Sequence, residues 1–451
     1  MSIELLFSLI LVSFCSFQEV QSVTCTYVVV DSVYTCRLNN QNIQSDSDTE
    51  EILGNHLPDR IDTDVLRLES SRSTILVFPS MIIEKFVNLE VVILNSSGMT
   101  TIQRRINSCA NLKHVSLNSN AIMSLPAGIF QNCNKITYLS ITINMISEIH
   151  DDAFAGLSEL KSLILLSNLI KTINRSWLEP LSSLTALVLD FNALTAVESS
   201  ALQAVPELRQ LDLQFNRITS WSNEILQQNR WIERLLLHGN EIESIAASSF
   251  SNLPNLRTLS VGNQLRTLPS GWNLPRVETL TLDANFLTTV NAATFSVMPN
   301  LKTLQINRNQ LLTLDFTDRS PKVLRALEVL SVQSNNITEL PGGSFSVLIN
   351  LKRLNLRSNR ISKLTADAIV PILPLEILDV SNNIISEIDR EIFTNVVNLD
   401  FRAEGNLCVN RNIKIESSLP EGLLENCFSS GWMVKVNISI IALAMLFLIR
   451  F

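Results

Sequence analysis

A chain of 451 residues is too long for one ordinary globular core. It carries a formal net charge of −8 and no basic block, so nucleic acid is not an expected partner. With 12 glycines and four histidines it shows no phosphate-cradling glycine loop, no metal-type histidine spacing and no Gly-x-Ser-x-Gly elbow, so neither an enzyme nor a cofactor is expected.

The chain opens with a short apolar run, Leu5 to Phe14, followed by small residues, with Val20 and Ser22 where a signal peptidase reads. Residues 1–22 are therefore expected to be a signal peptide, although Glu4 stands where a basic residue is usual. Cys25 and Cys36 then bracket Val28 to Tyr34, which reads as a hairpin within an N-terminal cap over 23–61.

Repeats fill residues 62–407, starting from a degenerate one near Val65-Leu66-Arg67-Leu68. Asn120, Asn144, Asn168, Asn192, Asn216 and Asn240 recur at 24-residue intervals, each within L-x-x-L-x-L-x-x-N-x-L/I. This is the phrase of one short strand and one return segment per repeat. A single repeat cannot bury its own apolar residues. Each is worth about 1.5–3 kcal/mol buried, against roughly 1.5 kcal/mol to order each residue, so stability comes from stacking. The expected fold is an α/β solenoid, a leucine-rich-repeat horseshoe with a parallel concave sheet and about 13 full repeats.

The Asn amide both donates and accepts, so it is expected to satisfy backbone groups buried by the turn after each strand. Ten positions beyond it a large apolar residue recurs, from Phe130 and Phe154 to Phe345, Ile369 and Phe393, and reads as a spine behind the sheet. Three repeats depart from the pattern. Ser97 replaces Asn in the first full repeat, repeat 8 loses one residue at Val261-Gly262-Asn263, and repeat 10 carries the extra Asp315 to Pro321. Cys109 and Cys133 occupy equivalent positions in successive repeats, as stacked thiols or as a disulfide.

Strand alternation turns Ile143, Ile164, Leu166, Val188, Phe191 and Phe215 outward on adjacent strands. Contiguous exposed apolar surface marks a contact site, so these six are the candidate partner-binding residues. A large residue before the Asn also has a structural reading, lying flat beside the ladder. Further on, Arg308, Lys352, Arg353 and Arg357 form a basic patch with Glu328 between.

Cys408 and Cys427 bracket a C-terminal cap over 408–428. Of the three pairings open to the four cap cysteines, short separations favour Cys25–Cys36 and Cys408–Cys427, giving disulfide caps at both ends. Asn95, Asn174 and Asn336 head glycosylation triplets. Residues 429–451 end in an apolar run, Ile438 to Ile449, that as a helix spans about 18 Å, short of the ~30 Å hydrocarbon core. Ser429-Ser430-Gly431 before it favours a lipid-anchor signal with attachment at Ser429; a short transmembrane helix is the alternative.

The repeat phrase and the paired-cysteine caps resemble the extracellular leucine-rich-repeat superfamily over roughly 62 to 408. Cys25-Thr26-Tyr27 and Tyr34-Thr35-Cys36 look like the N-terminal cap of insect secreted repeat proteins. Those include mosquito leucine-rich immune proteins and lipid-anchored adhesion proteins similar to connectin and chaoptin. The resemblance implies a cell-surface recognition or adhesion module that binds an extracellular protein ligand or co-receptor through the concave face, with a homodimer as one candidate assembly. The alternative is an innate-immune receptor or scaffold for a microbial product or partner immune protein. Both place the chain on the outer side of the plasma membrane, held through its C-terminal anchor.

Overall fold

A computed structural model describes residues 22–45, 51–103, 105–269, 272–290, 292–295, 297–314, 316, 324–369, 372, 375–394, 396–420 and 422–428. The expected signal peptide before Ser22, the anchor segment from Ser429 and most of the Asp315–Pro321 insertion lie outside these residues. Among the described residues, no helix is long and apolar enough to cross a membrane.

The described chain packs as two compact units. The first holds the residues up to Leu194 together with Ser200–Leu208; the second holds Thr195–Ser199 and the residues from Arg209 on. Both are parallel-sheet solenoids, and the chain makes about 13 turns in all.

In the first unit, β1 (Ser22–Val30) and β2 (Val33–Asn39) form the antiparallel hairpin expected of the cap, closed by the Cys25–Cys36 disulfide. The hairpin is also the start of the sheet, because β2 runs parallel to β3 (Arg67–Ser71) with Cys36 opposite Leu68. Then follow β4 (Val91–Ile93), β5 (His114–Ser116), β6 (Tyr138–Ser140), β7 (Ser162–Ile164) and β8 (Ala186–Val188). Each three-residue strand buries its middle residue. Leu139, Leu163 and Leu187 lie side by side with none of their surface exposed. Parallel strands need a crossover of a dozen or more residues, which the return segment supplies.

The second unit repeats this plan in β9 (Gln210–Asp212), β10 (Arg234–Leu236), β11 (Thr258–Ser260), β12 (Thr279–Thr281), β13 (Thr303–Gln305), β14 (Val329–Ser331), β15 (Arg353–Asn355), β16 (Ile377–Asp379) and β17 (Leu399–Arg402). The antiparallel β18 (Asn412–Ile415) pairs with β17, and the Cys408–Cys427 disulfide lies at this end. Behind both sheets the spine is buried as expected, with Phe154 edge-on to Trp177 and Phe250 edge-on to Trp272.

The asparagines form the turn ladder, but their partners are backbone groups rather than other side-chain amides. Asn168 is representative: its Nδ2 donates to the carbonyls of Ile141 at 2.9 Å and Leu165 at 3.0 Å, and its Oδ1 accepts the Ile146 N–H at 3.0 Å. Ser97, which stands in a ladder position, bonds the Ser70 hydroxyl and the Asn95 carbonyl instead.

The residue before most ladder asparagines is left-handed, including Ile143 (φ 53°), Phe191 (φ 53°) and Phe215 (φ 50°). That conformation costs a non-glycine residue about 1–2 kcal/mol, and a β-branched residue is an outlier there. Repeat 8 departs at this point. Its missing residue is the left-handed one, while the strand register is untouched, with Leu259 between Leu235 and Leu280. Asn263 still donates to the Leu237 carbonyl at 3.1 Å, but its buried Oδ1 finds no partner.

Cys109 and Cys133 are joined, so the disulfide reading of this pair holds. It links two successive turns of the first unit.

Candidate functional site

The six candidate contact residues, expected on adjacent strands, divide: Ile164 and Val188 lie on β7 and β8, whereas Ile143, Leu166, Phe191 and Phe215 lie in the turns beyond, because each strand is only three residues long. Ile164 and Val188 are direct neighbours in register, both half-buried. The Ile143 N–H donates to the Leu166 carbonyl, and the Asn168 N–H to the Phe191 carbonyl, which fixes the turns beside one another. Ile143 is 54% exposed and Phe191 50% exposed, while Leu166 is half-buried. With half-buried Ala186 they make an apolar strip across neighbouring repeats.

Phe215 belongs to the second unit. It is 42% exposed, lies over the Cα of Gly239 and packs edge-on against His238 at 5.4 Å. The ring thus partly covers the turn of the next repeat, in line with the structural reading of this position.

An aromatic pair escaped the sequence reading. Tyr138 and His114 are opposite each other on β6 and β5 and stack at 4.2 Å, next to the apolar strip. Burial, with the charge of Arg67 adding to it, holds the His114 imidazole below its ordinary pKa, so the pair presents a neutral surface. The signal was present in the strand positions of the two residues.

A second side-chain ladder runs along the same face. Asn95 Oδ1 accepts the Asn118 N–H at 2.8 Å and the Ser116 hydroxyl, and Asn118 Oδ1 accepts the Thr142 N–H and the Ser140 hydroxyl. It gives way to the apolar strip at Leu166. Among the glycosylation candidates, Asn174 is exposed, and Asn95 and Asn336 are half-buried.

In the second unit the outward strand positions are mostly polar from β11 to β15. His238 leans over Gly262, where a Cβ would meet its ring and the Asp283 carbonyl. Burial lowers the His238 pKa, opposed by Asp283 and reinforced by Arg308. Asp212, 8% exposed, is pushed up by burial against the hydrogen bonds from Gln214 and the charge of Arg234. The basic patch needs one correction: Lys352 is tied to Glu328 at 2.8 Å, a pairing between neighbouring repeats, so it is not free beside Arg353 and Arg357. Among the described residues, no cluster of His, Cys, Asp or Glu could hold a metal ion.

Stacked three-residue strands, a backbone-bonding asparagine ladder and an apolar spine define a repeat solenoid. The leucine-rich-repeat family profile matches residues 136–194, 182–242, 206–265, 230–285, 275–318 and 325–372, and the chain belongs to that family. No curated protein matches the sequence.

Among solved structures, the fold is similar to a leucine-rich-repeat protein of Leptospira interrogans, at 26% identity and TM-score 0.60, covering 73% of this chain and 85% of that one. It is also similar to a chain of the Drosophila Toll–Spätzle complex, at 20% identity and TM-score 0.68, over 83% of this chain and 50% of that one. A third likeness is to the LRIM1/APL1C complex, at 19% identity and TM-score 0.59, over 94% of this chain and 75% of that one.

Proposed function

We propose that the chain is a non-enzymatic extracellular recognition or adhesion module that binds a protein partner through the open sheet face of its first unit. The observation that carries this reading is the set of Ile143, Ile164, Leu166, Val188 and Phe191, half-buried or exposed on two adjacent in-register strands and the turns that follow the strands of three successive repeats. Water-exposed apolar surface of this kind is stabilised by contact with a partner. Retaining a β-branched residue in the left-handed region at Ile143 supports selection for its side chain rather than for the turn. Phe215 of the second unit is proposed as a further contact.

Three disulfides fit an oxidising, extracellular compartment. We place the chain at the cell surface, cleaved near Ser22, carrying glycans at Asn95, Asn174 and Asn336, and lipid-anchored at Ser429. A second reading, an innate-immune receptor or scaffold, draws support from the likeness to the Toll chain, whose structure is described as a hub in Drosophila development and innate immunity.

The test is capture of partners by soluble residues 23–428, followed by affinity measurement on variants. Phe191→Ser with Leu166→Ser is expected to weaken partner binding at least ~30-fold, since losing an exposed anchor typically costs about 2 kcal/mol. Unchanged affinity with an unchanged melting temperature would remove the strip from the interface.

A further inference from the structure

The sheet face of the second unit has different chemistry from that of the first. Over the five strands β11 to β15 the outward positions are Thr258 and Ser260, Thr279 and Thr281, Thr303 and Gln305, Val329 and Ser331, and Arg353 and Asn355. One of these ten is apolar and none is aromatic, so this face lacks the anchors of a protein interface. Thr258, Thr279 and Thr303 stand opposite one another in register.

The residues that follow these strands are pre-ordered into a belt. Asp283 accepts the Asn307 N–H at 2.7 Å and the Asn307 amide at 3.1 Å, and Asn307 Oδ1 accepts the Ser331 hydroxyl at 2.6 Å and the Gln333 N–H at 2.8 Å. Asn355 donates to Gln333 at 3.4 Å and accepts the Arg357 N–H at 3.0 Å.

The belt carries three guanidinium groups. Along the sheet's flank, cations meet carboxylates of the neighbouring repeat: Arg209 with Glu233, Arg257 and Lys302 with Glu278, Lys352 with Glu328. Arg308, Arg353 and Arg357 have no such ion pair among the described residues, and Asp283, the acidic member of the belt, is engaged by Asn307. Arg308 follows β13, Arg353 opens β15 and Arg357 follows it, so their backbones span two strand spacings, about 10 Å. The patch is cationic on a chain whose net charge is −8.

We propose that this face of the second unit binds an anionic polysaccharide. Removing hydroxyls and amides from water is unfavourable unless the ligand returns hydrogen bonds at the same density. A polyhydroxylated chain does so, and its carboxylate or sulfate groups match the planar guanidinium forks. The site uses residues distinct from the apolar strip of the first unit, so the two can fail independently.

The probe is a fluorescent heparin-derived octasaccharide, titrated with the full chain at near-physiological salt. Binding that weakens as salt rises is expected. Arg353→Ala with Arg357→Ala should weaken it about tenfold or more, the effect of losing charge-assisted hydrogen bonds. Lysine at both positions should restore part of the affinity, because the charge returns without the fork. Arg308→Ala serves as an independent variant and should weaken binding severalfold, whereas Leu166→Ser should leave it unchanged. The proposal is overturned if the parent chain does not bind the octasaccharide, or if unsulfated dextran binds as tightly. Equal binding by a poly-glutamate peptide would overturn it in favour of an acidic protein segment. Parent-like affinity in the folded arginine variants would overturn it as well.

Discussion

Asn168→Ala should be among the more damaging single changes in the first unit, and its cost follows from what loses a partner. The Asn168 amide holds four backbone groups: it donates to Ile141, Leu165 and Leu166 and accepts from Ile146, and the Leu166 carbonyl keeps the Ile143 N–H when the amide is removed. The Leu165 carbonyl keeps a donor after the substitution, because Asn192 reaches it at 3.0 Å. The Ile141 carbonyl and the N–H of fully buried Ile146 do not. Two buried backbone groups left unsatisfied, at about 1–3 kcal/mol each, give an expected loss of about 3–4 kcal/mol. Asn263→Ala in repeat 8 is the internal control. Asn263 Oδ1 accepts nothing, and the Leu237 carbonyl keeps Asn240 at 2.9 Å when the Asn263 donor is removed, so no group is orphaned. Its cost should be about 1 kcal/mol or less. Urea denaturation reads the stabilities. Hydrogen exchange at the Ile146 amide reads the local opening, because solenoids lose structure near the lesion before they lose it globally. If the two variants are equally destabilised, or Ile146 stays protected in Asn168→Ala, the ladder does not work through orphaned backbone groups.

Gly262→Ala should destabilise the second unit by roughly 1–3 kcal/mol, because the new methyl meets the His238 ring and the Asp283 carbonyl; a melting curve within half a degree of the parent's would show that the turn yields freely. Tyr27 gives a pH signature. Burial, then the charges of Asp62 and Tyr34 and the hydrogen bond to Asp62, push its phenol up to about 12. The folded value lies above the unfolded one of about 10, so the folded state favours the neutral phenol. That stabilisation is complete below about pH 10 and is lost as the pH rises through about 12. Alkaline melting curves should fall over this window less steeply in Tyr27→Phe than in the parent, and parallel curves would count against the assignment.

Much of the architecture is local in origin and therefore readable from the chain. The 24-residue recurrence of asparagine, with leucines at fixed offsets, dictates one strand per repeat, because every repeat faces the same problem of an apolar surface it cannot bury alone. The buried spine from Phe130 to Phe393 and both cap disulfides follow from the same periodicity and short separations. The outward alternation of Ile164 and Val188 was equally legible, because side chains in a strand alternate with period two.

Tertiary structure decided what depends on neighbouring turns. Whether Cys109 and Cys133 bond rests on how closely two backbones approach; spacing alone favoured stacked thiols, and the structure joins them. The pairing of Lys352 with Glu328 depends on side chains 24 residues apart meeting across strands, which turned an apparent basic cluster into three guanidinium groups on a polar belt. Repeat 8 shows the division within one turn. The missing residue is visible in the sequence, but that its loss removes the left-handed position, strands the Asn263 oxygen and brings His238 over Gly262 follows only from stacking one turn on the next. A one-dimensional pattern fixes which atoms face the core; the packing of adjacent repeats fixes which atoms meet.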